Sequence, residues 1–147
     1  MKTRALVMAG MMALTAMACT QVAQAQDPIV VNVPFDFMVG TKTLPAGQYS
    51  VKVSTKEQGL LLIDREDATQ SMFIATNAVV SNEPKSESKL VFNRYGDRYF
   101  LSQVWTAGNP RGRQLLKTSR EKEISQTAKI ETHGQVTLVA GLRRTNP

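Results

Sequence analysis

Apolar and polar residues alternate along much of the chain beyond residue 30, and the alternation is clearest at residues 31–39. There Val31, Val33 and Phe35 begin a series in which every second residue is apolar. Because successive side chains of a β-strand point to opposite faces, this period of two predicts one half-buried strand. Pro34 has no N–H to donate to a neighbouring strand, so it predicts a sheet edge or a bulge at that point.

Further strands are predicted downstream from alternation, from apolar runs and from the turn residues between them. Leu44-Pro45-Ala46-Gly47 predicts a turn, because proline fixes φ and glycine tolerates the left-handed region. The alternating residues 49–54 predict the next strand, and the continuous apolar run at 60–63 predicts a central strand covered on both faces. Two more strands are predicted at residues 71–80 and 135–140.

A β-hairpin is predicted around Gly96-Asp97, which stands between β-rich runs at residues 90–95 and 98–105. Both turn residues tolerate a positive φ, as a two-residue hairpin turn requires. Such a turn places Arg94 opposite Tyr99, Phe92 opposite Leu101 and Leu90 opposite Gln103. One face of the hairpin then gathers a predicted core set, namely Leu90, Phe92, Tyr99, Leu101 and Trp105.

The whole pattern predicts an all-β fold, either an antiparallel sandwich or a small, partly closed barrel of about seven strands. Residues 113–128 have the one helical composition of the mature chain and predict a short C-terminal helix on the surface. A single β domain is expected over residues 26–142, followed by a disordered tail at 143–147.

The first 25 residues have the pattern of a secretory signal peptide. Lys2 and Arg4 form a positive start, residues 5–18 are uncharged and largely apolar, and Ala23-Gln24-Ala25 has the small-x-small pattern of a cleavage site. We therefore expect cleavage after Ala25 and an exported protein, periplasmic or secreted. The apolar run is shorter than the roughly twenty residues that cross a bilayer, so no transmembrane helix is predicted in the mature chain.

Cys19, the only cysteine, leaves a second outcome open. Ala16-Met17-Ala18-Cys19 is similar to a bacterial lipoprotein processing site, at which the cysteine becomes a lipidated N-terminus. The alternative location is therefore the cell envelope, with a lipid anchor on Cys19. After cleavage at Ala25, by contrast, the mature chain has no thiol and no disulfide.

The charge excess is modest and spread along the chain. Lysine and arginine number 18 against 12 aspartates and glutamates, a net charge of +6. Lys2 and Arg4 leave with the leader, which lowers the excess to about four. Nucleic-acid binders cluster their basic residues on one face, so no nucleic-acid partner is predicted. An anionic envelope polymer or a glycan is the partner class that stays open.

Three stretches together carry a resemblance to a known group of proteins. They are Val33-Pro34-Phe35-Asp36-Phe37 with Gly40, Leu44-Pro45-Ala46-Gly47 with Tyr49, and KLVFNRYGDRYFLSQVW at residues 89–105, followed by Gly112-Arg113-Gln114-Leu115. Over roughly residues 31–123 the chain resembles a family of small, exported, uncharacterised bacterial proteins. The resemblance implies kinship and export, and it carries over no site, because the group has no assigned activity.

Conventional catalytic motifs are missing from the sequence. The single histidine, His133, is predicted to lie in a solvent-facing turn, and without a second imidazole neither a metal site nor a cofactor is predicted. No Gly-x-Ser-x-Gly elbow, phosphate loop or dinucleotide fingerprint occurs. Two carboxylate pairs, Asp36 with Asp97 and Asp64 with Asp67, keep a hydrolase with dispersed carboxylates as the third alternative.

Arginine and aromatic residues near the hairpin form the one candidate binding site. An arginine fork suits a carboxylate or a phosphate, and tyrosine and tryptophan faces suit sugar rings or cations. The competing interpretation is simple packing, with Arg94 over Tyr99 and Trp105 in the core. The candidate residues are Arg94, Tyr95, Arg98, Tyr99, Trp105, Arg111 and Arg113.

The sequence thus favours an exported, non-catalytic module that binds or supports a component of the cell envelope. The alternative is a lipocalin-like carrier of a small apolar ligand, which requires an unfilled barrel interior.

Overall fold

The computed structural model describes residues 27–54, 56–128 and 133–141, and within these ranges it contains ten strands and one helix. The all-β class is confirmed, with ten strands in place of about seven. The predicted leader at 1–25, Cys19, the cleavage point after Ala25 and the tail at 143–147 lie outside the described residues. The elements are β1 (Ile29–Val33), β2 (Phe37–Val39), β3 (Lys42–Leu44), β4 (Gly47–Val53), β5 (Leu60–Arg65), β6 (Ser71–Val80), β7 (Lys89–Tyr95), β8 (Arg98–Trp105), β9 (Arg111–Leu115), α1 (Ser119–Thr127) and β10 (His133–Val139).

Strand β6 joins two parts of the sheet. Its first half pairs with β5 in the antiparallel series β1-β4-β5-β6, and its second half, from Thr76 to Val80, pairs with β9. From β9 the second part continues through β8 to β7 and β10, while β2 pairs with β3 and, in parallel, with β8, so the expectation of a purely antiparallel fold is wrong. β1 also contacts β7 and β10, and one core cluster contains buried residues from β1–β5 and β7–β9. The mixed sheet does not close among the described strands. In the same residues, α1 falls short of the length and apolarity needed to cross a bilayer.

The predicted strand at 31–39 is two strands, β1 and β2, separated at Pro34-Phe35-Asp36. The break follows from Pro34, which cannot donate to a ladder, and from Asp36, whose Oδ1 accepts the backbone N–H of Ala46 at 2.9 Å. The carboxylate therefore ties this break to the turn between β3 and β4.

Tyr49 also stabilises the turn between β3 and β4. Its hydroxyl donates to the carbonyl of Pro45 at 2.6 Å, and its side chain is buried. A tyrosine hydroxyl that binds backbone a few residues upstream is the arrangement called a tyrosine corner in β-sandwiches. Burial raises the pKa of Tyr49, and the charge of nearby Arg65 opposes that rise. The turn predicted at residues 44–47 is thus held by Asp36, from the break between β1 and β2, and by Tyr49 of β4.

The apolar run in β5 is covered on one face only, which corrects the prediction of a doubly covered strand. Leu61 and Ile63 are buried, whereas Leu60 and Leu62 are half-buried on the outer face. Phe73 lies opposite Leu62 on β6 and is 63% exposed. A continuous apolar run does not by itself indicate two covered faces, because a strand with one covered face can still carry apolar residues on its exposed face.

The hairpin turn at Gly96-Asp97 is confirmed, with Gly96 at a φ of +66°. Arg94 lies opposite Tyr99 and Phe92 opposite Leu101, as predicted. Past that point the register shifts, since Val91 pairs with Gln103 and leaves Ser102 as an extra residue. The predicted pairing of Leu90 with Gln103 is therefore wrong, because Leu90 lies opposite Val104.

The predicted helix at 113–128 is wrong over its first part, where Arg111–Leu115 forms β9 between β6 and β8. α1 begins only at Ser119, after Thr118, whose Oγ1 accepts the backbone N–H of Glu121 at 3.2 Å. A Thr-x-x-Glu sequence is a helix-start signal, and it places the N-terminus of the helix here. Ile124 and Ala128 pack on a second, smaller apolar cluster of Met38, Tyr95 and Phe100, so the expected position on the surface of the domain is correct.

Candidate binding site

The structure distributes the seven candidate residues over three places instead of one surface. Arg94 and Tyr99 form a cross-strand pair near the hairpin turn, and Tyr95 with Arg98 lines a concavity beside α1. The remaining three residues, Trp105, Arg111 and Arg113, lie at the opposite end of β8 and on β9. The predicted set therefore does not line one concavity.

Arg94 and Tyr99 are engaged in packing. Arg94 Nε donates to the carbonyl of Gly96 at 2.7 Å, and its guanidinium carbon lies 5.8 Å from the centre of the Tyr99 ring. Tyr99 in turn stacks on Phe35, with ring centroids 3.8 Å apart and planes 14° apart. This part of the candidate site therefore matches the packing interpretation.

The stretches that carry the family resemblance meet in one aromatic cluster, which we call the ring cluster: Phe35, Phe37, Tyr49, Phe92 and Tyr99. Phe37 contacts both Tyr49 and Phe92 edge to face, at 5.1 and 5.4 Å between ring centres. Phe92 is completely buried and also meets Phe35 at 5.2 Å. Each stretch thus supplies at least one ring to the core, so packing explains these aromatic positions.

Tyr95 is buried beneath α1 and holds the helix against the sheet through a hydrogen bond. Its hydroxyl donates to Oε1 of Glu121 at 3.1 Å, and the same oxygen accepts the amide of Asn93 at 3.0 Å. Glu121 is itself only 5% exposed. Burial, reinforced by the neighbouring Glu121 carboxylate, raises the pKa of Tyr95 to about 12.

This raised pKa predicts a loss of stability at high pH. The folded protein holds the Tyr95 proton more tightly than the unfolded chain does, so the contribution is complete below about pH 10. It disappears as the pH rises from there toward about 12. We expect Tyr95→Phe to flatten the fall in unfolding free energy over this interval, measured by urea denaturation at fixed pH values. Glu121→Gln, which removes the charge and keeps an acceptor, should lower the folded-state pKa of Tyr95, so the loss should still begin near pH 10 but be smaller and end at a lower pH. A Tyr95→Phe profile parallel to that of the parent would contradict the assignment.

Trp105 is buried outside the main core, so the prediction of a core-facing Trp105 is wrong. The extra residue at Ser102 turns Val104 inward and leaves Trp105 on the other face of β8. There its Nε1 donates to Oε1 of Gln103 at 3.0 Å, and Lys85 Nζ lies 4.9 Å from the ring centre. At 6% exposure, the indole offers little surface for stacking on a sugar.

The predicted carboxylate pairs serve local turns. Asp64 accepts the hydroxyl of Ser71 at 2.5 Å, and Asp67 accepts both the backbone N–H and the hydroxyl of Thr69. The hydrogen bonds from Thr69 lower the pKa of Asp67. Asp36 holds the β3–β4 turn as described above, and Asp97 is exposed in the hairpin turn. These hydrogen bonds are the pattern of turn acids rather than of a catalytic pair.

His133 is the first residue of β10, with its Cα opposite that of Tyr95, so the prediction of a turn at this position is wrong. Within the described ranges, no three His, Cys or acidic residues come close enough together to hold a metal ion.

A cleft of about 360 Å³ lies where β9 runs beside β6. Leu115 belongs to the main core, and residues two apart on a strand share a face, so Arg113 and Arg111 continue the inner face of β9 outward from the core. The cleft is lined by Val53, Gln58, Ala78, Val104, Thr106, Asn109, Arg111, Gly112 and Arg113. Its volume falls at the lower end of the range for small-molecule sites.

Sequence reasoning found the two arginines of this cleft and missed its other members. Gln58 stands in the β4–β5 connection and Asn109 in the β8–β9 connection, far apart in sequence. The pairings of β5 with β6, of β6 with β9 and of β8 with β9 bring these segments together. No local pattern at Gln58 or Asn109 signals that convergence.

A second concavity, of about 450 Å³, lies between the hairpin and α1. Its lining carries both signs of charge, since Glu123 stands there with Arg98 and Arg120. The remaining lining residues are Tyr95, Ile124, Thr127 and Ala128. Mixed charge on a helix surface is typical of a solvated face and selects no ligand.

Compared with protein-family models, with curated proteins and with solved structures, the chain matches none. The family resemblance of its three stretches stays a prediction.

Proposed function

We propose that this chain is an exported, non-catalytic β domain that binds a component of the cell envelope through the cleft beside β9. Export rests on the leader pattern of residues 1–25. Binding rests on a single observation, a concave site of about 360 Å³ in which apolar and polar side chains from four separate segments converge.

The surroundings of the cleft support recognition rather than chemistry. Its polar side chains are amides, a hydroxyl and guanidinium groups, which orient a ligand through hydrogen bonds. The four aspartates considered for a hydrolase either hold turns or sit in the hairpin turn, away from this lining. The side chains that line the cleft can therefore bind a ligand through hydrogen bonds, whereas a hydrolase would need carboxylates that this lining does not contain.

The filled core of the domain disfavours the lipocalin-like alternative. Tyr49, Phe37 and Phe92 are among the largest fully buried side chains, and they contact one another through their rings. A carrier of an apolar ligand needs that volume for its cargo. The described core fills it with aromatic side chains instead.

An NMR ligand screen tests the proposal. The protein, purified after export and labelled with ¹⁵N, is titrated with cell-wall fragments, glycans and lipid dispersions. We expect saturable shifts of the backbone amides of Thr106, Asn109 and Gly112 with at least one class, while the amide of Gly134, on β10, stays in place. Absence of any response to all three classes would overturn the binding function, and so would shifts confined to residues outside the cleft.

A further inference from the structure

We infer that the cleft beside β9 is an anion site, in which Arg113 and Arg111 hold the carboxylate or phosphate group of a ligand with a short apolar portion. This inference rests on the proposed binding function and names the chemistry of its ligand. Four observations carry it: the strand register, the burial of Arg113, the charge of the lining and the apolar floor.

The register of β9 places both guanidinium groups on one side of the cleft. Arg113 lies opposite Ala78 on β6 and Val104 on β8, while Arg111 lies opposite Val80. The two arginines are two residues apart on one strand and therefore point the same way. Adjacent planar forks of this kind match the oxygens of a carboxylate or phosphate in bidentate geometry.

Arg113 is the deeper of the two arginines. It is half-buried, whereas Arg111 is exposed, so the pair forms an inner and an outer contact. Val104, opposite Arg113, is 2% exposed and belongs to the main core. A cation against such an apolar wall is less screened than one in bulk water, and an anion there gains correspondingly more.

The lining carries positive charge without a matching carboxylate. Gln58, Thr106 and Asn109 are the neutral polar members, and the remaining side chains are apolar apart from the two arginines. Among the described residues, the ion pair in the structure joins Arg65 to Asp67, in the β5–β6 turn. The cleft therefore presents cationic donors together with neutral hydrogen-bonding groups, which is the complement of an anionic ligand.

The apolar part of the lining favours a ligand with an apolar portion next to its anionic group. This apolar floor consists of Val53, Ala78 and Val104, which come from three different strands; Val104 is buried and Val53 is half-buried. Burying a methylene group there strengthens binding by about fourfold. A fully hydrated inorganic ion would leave this surface unused, whereas an anion on a short hydrocarbon chain covers it.

Titrations with hexanoate, hexyl phosphate and hexanol test the inference on the protein as purified after export. We expect both anions to produce saturable shifts at Gly112 and Asn109, and hexanol to bind at least tenfold more weakly. A preference between the two anions supports the inference and identifies the headgroup. Equal binding of hexanol, or no shift with either anion, would overturn it.

Arginine variants separate the two guanidinium contacts. Arg113→Ala should weaken hexanoate or hexyl phosphate binding at least tenfold, and Arg111→Ala should weaken it less. Arg113→Lys keeps the charge and loses the planar guanidinium fork, so its affinity for the anions should lie between those of the parent and of Arg113→Ala.

Arg120→Ala, at an exposed arginine on α1, serves as the matched control and should bind the anions as the parent does. If Arg113→Ala disturbs the fold, judged from its amide spectrum, Arg111→Ala and Arg113→Lys decide the question. Unchanged affinity in the folded variants would overturn the anion site.

Failure of the anion site can be distinguished from failure of the proposed binding function. An uncharged glycan that shifts the cleft amides while both anions fail would overturn the anion site and leave the binding module standing. Failure of the anions and of every class in the ligand screen would overturn both.

Discussion

Replacement of Phe92 by alanine is expected to lower the unfolding free energy by about 3–5 kcal/mol, the usual cost of a buried Phe-to-Ala change. Phe92 is 0% exposed and meets the rings of Phe35 and Phe37 edge to face. The substitution removes a ring from the centre of the ring cluster and leaves a cavity that β7, paired on both sides, cannot close. Urea denaturation followed by circular dichroism measures the loss.

Phe73→Ala is the matched control for this prediction. Phe73 lies on the outer face of β6 and is 63% exposed, so the same chemical change should alter the unfolding free energy by less than about 0.5 kcal/mol. Comparable losses for the two variants would contradict the assignment of Phe92 to the centre of the core.

Gly112→Ala is expected to destabilise the protein by about 1–3 kcal/mol, the range for overpacking a filled site. A Cβ at Gly112 would lie 2.7 Å from Cε3 and 2.8 Å from Cδ2 of Trp105. These are rigid ring atoms, so either the indole or strand β9 must move. Trp105 is the only tryptophan, and its fluorescence should therefore report the displacement directly, alongside the denaturation midpoint.

Gly134→Ala provides the control, because a Cβ at Gly134 would meet nothing within 4 Å. Its unfolding free energy should stay within about 0.5 kcal/mol of the parent, as for other surface substitutions. A double variant, Gly112→Ala with Trp105→Leu, should be more stable than the sum of the two single losses predicts, because leucine leaves room for the new methyl group. Strict additivity would show that the indole is not what Gly112 accommodates.

The hairpin shows how far local pattern carries a prediction. Turn chemistry at Gly96-Asp97 and alternation in the flanking strands predict the correct pairing from Tyr95 back to Phe92. The prediction fails at the next step because Ser102 is inserted without any proline or glycine to mark it. From that residue onward every side chain of β8 points to the other face, and Trp105 moves out of the core with them.

The region around β9 shows a different limit. Its composition resembles a helix, yet Arg113 and Leu115 face inward with the period of a strand. Five residues are too few for periodicity to outweigh composition, and the pairing with β6 decides the conformation. Thr118 and Glu121 have the spacing of a helix-start signal, but the predicted helix at 113–128 did not rest on it and therefore began too early.

The candidate site was predictable in its residue types and not in its location. Arginine forks are suited to anions wherever they lie, so Arg111 and Arg113 could be selected from the sequence. Their separation from Arg94 and Arg98 depends on pairings between β6, β9 and β8. The β6–β9 pairs join residues more than thirty positions apart, so no local pattern in the chain indicates them.

By itself, the sequence determined the all-β class, the hairpin turn and the turn at residues 44–47, because alternation, proline and glycine act over a few neighbouring residues. Only the tertiary structure decided which face each arginine and aromatic residue occupies and where a cleft opens. The physical reason is that a strand has two faces and several potential partners, and the choice between them is made by long-range pairing and by the packing of the shared core.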